Sequence, residues 1–247
     1  MPLLIVKTST SNRNCTVIIP AAGLGKRFGA DLPKQYHLLG TKPLIIHTIT
    51  LFDTLAEATN IIIPVANDWK DYLEDLLSKY KFNKKIVICH GGQERQDSIY
   101  NALNNSAANE SDIVLVHDAV RPFASPELIK NVIISASRFG AAIPATMPKE
   151  TIKQKDNSNM VRLTFVRSML ASVQTPQGFK KEILIDAYNK AIKSGFVGTD
   201  DASLAEHAGH KVKIIDGEET NIKITTPLDF DIAGIILRQM KSRAILP

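Results

Sequence analysis

VIIPAAGLGKRFGADLPKQY, residues 17–36, is the stretch on which the reading of the fold turns. An apolar run ends at Pro20, Ala21, Ala22 and Gly23 follow, and Lys26, Arg27 and Lys34 come soon after with only Asp31 opposing them. A short β-branched run that stops at small residues reads as a buried strand opening into a loop. Small residues let backbone N–H groups come close to an anion, and nearby cations add full charge. Gly23, Gly25 and Gly29 are spaced G-x-G-x-x-x-G, whereas the dinucleotide fingerprint needs a glycine where Phe28 stands. No acidic residue ends the second apolar run, NIIIPVA (60–66), to bind a ribose. A Walker A loop fails too, because no Ser or Thr follows a Gly-Lys pair in frame. The stretch therefore reads as a phosphate loop of a third kind, with backbone from Ala21, Ala22, Gly23 and Gly25 and charge from Lys26, Arg27 and Lys34.

Working outward, β-rich runs alternate with helical patterns. Strands are expected at 16–20, 60–66, 84–90, 112–118 and 140–146. Helices are expected at 43–55, 68–80, 93–104 and 125–140, with Pro43 at a first helical position, Asp68 as a cap, and Ser125-Pro126 and Gly140 as start and stop. The strands are near-continuous apolar runs, so both sheet faces are expected to be covered. Strand–helix alternation predicts an α/β fold with a mostly parallel sheet and helices on both faces. Further helices are expected at 180–194 and 200–208, strands at 211–215 and 221–225, and a last helix at 226–241 opened by Thr226, Pro227 and Asp229. The expected organisation is a flexible tail at 1–14 and one domain from 15 to 247.

Residues 147–170 break the alternation. Two extended runs flank Asn157-Ser158-Asn159, and Val161, Leu163 and Phe165 alternate with Arg162 and Thr164. That pattern predicts a protruding β-arm with one apolar face. A lone hairpin is marginal in water, so the arm lies either on its own subunit or against another chain.

Composition narrows the function classes. A chain of 247 residues with 44% hydrophobic and 22% charged residues is an ordinary globular protein. Its net charge of +5 suits an anionic ligand. Basic residues do not interleave with aromatics on any recognisable platform, so no nucleic-acid partner is expected. No apolar stretch approaches a membrane span and no signal-peptide core is present, which predicts a cytoplasmic protein. Cys15 and Cys89 have no metal spacing and read as free thiols. The six histidines show no metal-binding spacing and read as ordinary residues.

Three more stretches carry chemistry. In VHDAVRP (116–122), Asp118 ends an apolar strand at the ligand edge, with Ala119 next and Arg121 beside it. It could serve as base, cap or metal ligand; a neighbouring phosphate loop favours Mg²⁺, which takes carboxylate and phosphate oxygens together. In HGGQERQDSIYNAL (90–103), Gly91 and Gly92 permit close approach of a planar group such as a base, with Gln93, Arg95 and Ser98 as polar readers. Arg95 reads equally well as one half of a structural ion pair. TPQGF (175–179) and NIKITT (221–226) are weaker signals; Lys223 is expected to point away from Ile222 and Ile224.

Taken together, PAAGLGKRFGADLPKQY, GGQERQDSIYNAL, VHDAVRPF, TPQGF, TDDAS and NIKIT resemble, in order, the motifs of the 2-C-methyl-D-erythritol 4-phosphate cytidylyltransferase family. The resemblance runs from about residue 15 to 240. It implies a Rossmann-like nucleotidyltransferase fold and CMP transfer from CTP to methylerythritol phosphate with Mg²⁺. It also implies a homodimer exchanging the 147–170 arm. By position it implies that Arg27 and Lys34 hold the triphosphate and stabilise the transition state, with Lys26 adding charge. Gly92, Gln93 and Ser98 would meet the cytosine region. Asp118 would bind metal and substrate, and Arg121 would steady the site. Thr175 and Lys223 would reach the substrate and the reacting phosphate. Thr151 and Arg167 on the arm would grip methylerythritol phosphate. Gln93 stands where the family commonly has an acid. Ribitol 5-phosphate cytidylyltransferase, with the same chemistry and a linear acceptor, is the alternative.

Overall fold

A computed structural model of the chain describes residues 14–23 and 32–245. The first strand, β1 (Cys15–Ile18), is followed by a two-strand ribbon, β2 (Leu38–Leu39) and β3 (Lys42–Pro43), and then α1 (Leu44–Asp53). Next come β4 (Ala58–Val65), α2 (Lys70–Ser78), β5 (Lys85–His90), α3 (Arg95–Leu103), β6 (Ile113–Val116), α4 (Pro126–Phe139) and β7 (Ala141–Thr146). The arm holds β8 (Lys153–Lys155) and β9 (Val161–Thr164). The chain returns through β10 (Ser172–Val173), β11 (Gln177–Lys180), α5 (Lys181–Ser194), α6 (Asp201–His207), β12 (Lys213–Asp216) and α7 (Pro227–Ile245).

Among the described residues, eight strands form one sheet in the order β10-β7-β11-β6-β1-β4-β5, with β12 alongside β7. β1 pairs in parallel with β4 and β6, β4 with β5, and β12 with β7; β11 runs antiparallel to both β6 and β7, and β10 to β7. The sheet is mixed and mostly parallel, with helices on both faces. Period-two alternation sorts its side chains: Val17, Ile61 and Leu115 enter the core beneath α1, α2 and α4. Ile18, Ile62, Val114 and Val116 enter the core beneath α3, α5 and α6. This explains why the strands read as unbroken apolar runs. A third cluster, with Leu39, Leu44, Phe123, Ile224 and Ala233, lies under α7.

The helix signals hold in most places. The Ser125 hydroxyl accepts from Leu128 N–H, Pro126 follows, and Gly140 closes α4 at φ +93°, where glycine alone is unstrained. At α7, the Asp229 carboxylate accepts from Thr226 N–H while Thr226 Oγ1 accepts from Asp229 N–H, a reciprocal cap.

Four local expectations are corrected. Pro43 sits just before α1, as the end of β3, and not inside the helix. Asp68 makes no cap; a 3-10 turn, Asn67–Trp69, leads into α2. Residues 221–225 are not a strand: Ile224 N–H reaches Val120 O, and the segment is otherwise an extended connection. Conversely, 177–180 is an unexpected strand, β11, inserted between β6 and β7. Gly178 makes it possible: a Cβ there would lie 2.6 Å from Val132 Cγ1 of α4, so only glycine lets that helix pack so close.

The arm is a hairpin with Lys153 opposite Thr164 and Gln154 opposite Leu163. Its turn is tied by Asp156 Oδ1, which accepts from the N–H groups of Ser158 and Met160, and Asn159 takes φ +63°. Val161, Leu163 and Phe165 remain 59%, 48% and 39% exposed, and the ladder's register shifts between Leu163 and Val161.

Candidate active site

The parallel strands β1, β4, β5 and β6 all end on one edge of the sheet, where the following loops can converge on a ligand. Residues 20–23, 92–95 and 118–120, with Lys34, Gln35, Ser98 and Lys223, line a cleft of about 330 Å³ there. Gly25, Lys26 and Arg27 lie outside the described residues. Of the remaining expected site residues, Ala21, Ala22, Gly23, Lys34, Gly92, Gln93, Ser98, Asp118, Ala119 and Lys223 meet in this cleft.

Buried Gln35 holds the first loop. Its Nε2 donates to Ala21 O at 2.8 Å and Gly23 O at 3.2 Å. It belongs to the same short 3-10 turn as Lys34, so the turn carrying the cation also grips the small-residue loop. The second loop is held by Ser98, whose Oγ accepts from Gly92 N–H at 2.9 Å and donates to Glu94 O at 3.0 Å. A Cβ on Gly92 would sit 2.1 Å from Asp97 Cβ, so close backbone approach makes glycine necessary. Ser98 thus shapes the wall from behind, as a buried support.

Asp118 is the electrostatic centre. Its Oδ2 lies 3.0 Å from Lys223 Nζ and 3.3 Å from Arg121 Nε, and its Oδ1 lies 3.8 Å from Arg95 Nε. Burial by itself raises the carboxyl pKa, but the charges of Lys223, Arg95 and Arg121 outweigh it and bring it down to about 2. Lys223 and Arg95 bring the cleft-facing charge to this carboxylate, and Lys34 adds a further cation to the same cleft. Lys223 arrives on the 221–225 connection with its Nζ on Asp118, while neighbouring Ile224 is buried in the cluster under α7.

Arg121 does not line the cleft. It is fixed behind Asp118, with Nη1 donating to Asn221 O at 2.7 Å. Thr175 is likewise buried behind Asp118 and accepts from Asp118 N–H at 3.1 Å.

His117, Gln35 and Asn221 were missed by sequence reading. His117 is fully buried, its Nε2 2.8 Å from Arg121 O and its Nδ1 3.2 Å from Thr175 Oγ1. A carbonyl only accepts, so Nε2 carries the proton, and Nδ1 then accepts from the Thr175 hydroxyl. Burial lowers its pKa from 6.5 to about 4, which keeps it neutral. A directed chain results: Asp118 N–H to Thr175 Oγ1, Thr175 O–H to His117, and His117 N–H to Arg121 O. Asn221 Nδ2 donates to Thr175 O at 2.9 Å and closes the support. The one available signal for His117 was a polar residue inside the apolar run VLVHD.

Thr151 and Arg167 are not brought to the cleft within this chain. Both are exposed on the arm, and Arg167 Nη1 donates to Lys149 O at 2.7 Å. Among the described residues, no three His, Cys, Asp or Glu side chains gather as a metal cage. No helix of the described residues is long and apolar enough to cross a membrane.

The arrangement can hold a polyphosphate at a backbone loop with cations beneath it. The comparisons agree with that chemistry. The family described as IspD, 2-C-methyl-D-erythritol 4-phosphate cytidylyltransferase, matches residues 15–239. The protein of that description from Bacillus cereus is 43% identical over 226 residues, 92% of this chain and 99% of its own length. One from Geobacillus thermodenitrificans is 42% identical over 224 residues, 91% of this chain and 97% of its own. Among solved structures, the 4-diphosphocytidyl-2C-methyl-D-erythritol synthase from Anaerococcus prevotii aligns with a TM-score of 0.80 at 34% identity, covering 92% of this chain and 99% of that one. The cytidylyltransferase from Thermus thermophilus aligns with a TM-score of 0.75 at 31% identity, covering 91% and 99%. With a family match over nearly its whole length, and the fold and cleft that go with it, this chain belongs to the 2-C-methyl-D-erythritol 4-phosphate cytidylyltransferase family.

Proposed function

We propose that this chain transfers CMP from CTP to 2-C-methyl-D-erythritol 4-phosphate, releasing pyrophosphate, as a step of non-mevalonate isoprenoid precursor synthesis. The observation that carries the reading is the convergence of Lys223, Arg95 and Arg121 on Asp118 beside the small-residue loop. A phosphate oxygen of the acceptor attacks the α-phosphorus of CTP. A new P–O–P bond forms, and the bond from the α-phosphorus to the bridging oxygen of pyrophosphate breaks, that oxygen leaving with the electron pair. The nucleophile is already an anion near neutral pH, so no general base is required. His117 is no base: it is neutral, enclosed, and engaged at both ring nitrogens.

The barrier is repulsion between two polyanions and the charge that grows on the leaving group, and fixed cations oppose both. One lysine about 4 Å from a phosphoryl oxygen contributes roughly 4 kcal/mol at an effective dielectric near 20. In this reading Lys34 and Lys223 meet phosphate directly, and Arg27 and Lys26 add to the same field. Gly92 and Gln93 meet the cytosine region, with Ser98 shaping that wall. Asp118, Arg121 and Thr175 hold the reacting edge.

Asp118, whose oxygens face Lys223, Arg121 and Arg95, is the cleft carboxylate that would hold Mg²⁺ together with substrate phosphates, as that ion commonly takes one or two carboxylates and completes its shell with phosphate oxygens. When bound, Mg²⁺ would neutralise phosphate charge. Thr151 and Arg167 are assigned to the acceptor phosphate from a second copy's arm; the uncovered apolar side chains of Val161, Leu163 and Phe165 support a dimer built through that arm.

The test is pyrophosphate release with CTP and Mg²⁺ across two acceptors. Release with methylerythritol phosphate is expected, and turnover with ribitol 5-phosphate alone would overturn the acceptor assignment. The family match favours the methylerythritol acceptor.

A further inference from the structure

Arg95 does more than line the cleft. Its Nη2 donates to Asp201 Oδ2 at 2.8 Å, while its Nε lies 3.8 Å from Asp118 Oδ1. Asp201 is fully buried, and its other oxygen, Oδ1, accepts from the Tyr188 hydroxyl at 2.6 Å. Tyr188 is fully buried too, and its ring stacks on Tyr100 of α3 at 6.2 Å between centroids. Three helices therefore meet at one guanidinium: Arg95 opens α3, Asp201 opens α6, and Tyr188 lies within α5. Asp201 is itself placed by the neighbouring strand, since Gln177 of β11 accepts from Ala202 N–H at 3.0 Å and donates to Asp200 Oδ2 at 2.7 Å.

We propose that Asp201 is a positioning residue: together with Tyr188 it holds the Arg95 guanidinium beside Asp118, on the wall that receives the nucleotide. This rests on the cytidylyltransferase reading above. The physical reason is competition for one flexible cation. The Arg95 side chain is about one-third exposed, at 34%. Without the Asp201 carboxylate, it is free to swing fully onto Asp118, cancelling charge that Lys223 and a phosphate would share, or outward into solvent. A buried carboxylate with both oxygens engaged prevents either movement, because leaving it unpaired is costly. Asp201 does not itself line the cleft, so it acts through Arg95 and not on substrate.

The experiment is a double-mutant cycle with kcat/KM for CTP, CTP affinity by calorimetry, and melting temperature as readouts. Asp201→Asn and Arg95→Gln are each expected to lose roughly 10²-fold in kcat/KM for CTP, as misplaced site groups do. Tyr188→Phe is expected to lose about tenfold, the effect of one hydrogen bond to a charged group. The decisive result is non-additivity: Asp201→Asn combined with Arg95→Gln should be no worse than Arg95→Gln alone. A residue that merely stabilised the fold would lower the melting temperature and multiply the losses. Multiplied losses, or wild-type kcat/KM in both Asp201→Asn and Tyr188→Phe, would overturn the proposal. If Asp201→Asn does not fold, Tyr188→Phe and Arg95→Gln complete the same cycle. Absence of CMP transfer by the wild-type enzyme would sink the functional reading instead, and the cycle would then be decided by CTP affinity.

Discussion

The Asp118 cleft and the 147–170 arm are opposites in construction. Around Asp118 the supports are cross-linked: the carboxylate is held by three cations, its N–H by Thr175, Thr175 by His117 and Asn221, and Arg121 by Asn221. The arm is held by a short ladder and a turn, and its side chains point into solvent, including Met169 at 84% exposure. The cleft is therefore preorganised by its own chain, where electrostatic groups need no reordering as charge develops. The arm's exposed apolar side chains are of the kind that a partner surface covers. The charges around Asp118 are placed by one chain, while the proposed function gives acceptor recognition to two.

The sharpest test of that division removes a cation from the cleft. Lys223→Ala and Lys34→Ala should each lower kcat by roughly 10²–10³ while the protein remains folded, checked by steady-state kinetics and melting temperature. Near-normal turnover in both would break the assignment. On the arm, Leu163→Asp should convert the proposed dimer to a monomer in sedimentation. Arg167→Ala should raise the KM for methylerythritol phosphate by roughly tenfold or more, leaving the KM for CTP unchanged, as loss of one charge-assisted contact does. If Arg167→Ala weakens CTP alone, the arm has been misassigned.

A third test reads burial. His117 has a folded pKa near 4 against 6.5 when free. The unfolded chain takes up the proton first, so this stabilisation is complete above pH 6.5 and is lost as the pH falls toward 4, at up to about 1.4 kcal/mol per pH unit. Denaturant unfolding of the metal-free protein at several pH values should show that slope, and His117→Gln should flatten it. An unchanged slope would mean the ring is not the group being titrated. The smallest effect belongs to the arm's base, where Lys149 and Glu219 pair at 2.9 Å but are 69% and 70% exposed. Glu219→Ala should leave the melting temperature unmoved, because exposed ion pairs contribute little.

Much of the cleft was legible because its groups lie next to strand ends. A strand that stops at Ala21-Ala22-Gly23, or at Asp118, announces an edge, and local pattern is enough. Its supports were not legible. Gln35, His117 and Asn221 bond to partners that are distant in sequence or carried on backbone atoms, and nothing in their own neighbourhoods encodes that. Arg95 was open between ion pair and polar reader; it is an ion-paired wall of the cleft, joined to Asp201 106 positions away. The expected triphosphate cations Lys26 and Arg27 lie outside the described residues.

By itself the sequence determined the alternation of strand and helix, the two-faced burial of the sheet, the helix stop at Gly140, the hairpin with its apolar side chains, and the positive character of the ligand edge. These follow from short-range steric, hydrophobic and charge patterns. Tertiary structure alone decided that QGFK becomes a strand between β6 and β7, that 221–225 is a connection delivering Lys223, and that three helices meet at Arg95. Those outcomes depend on which distant surfaces come together. Gly178 shows the reason at one position: its missing side chain has meaning only once α4 lies against it.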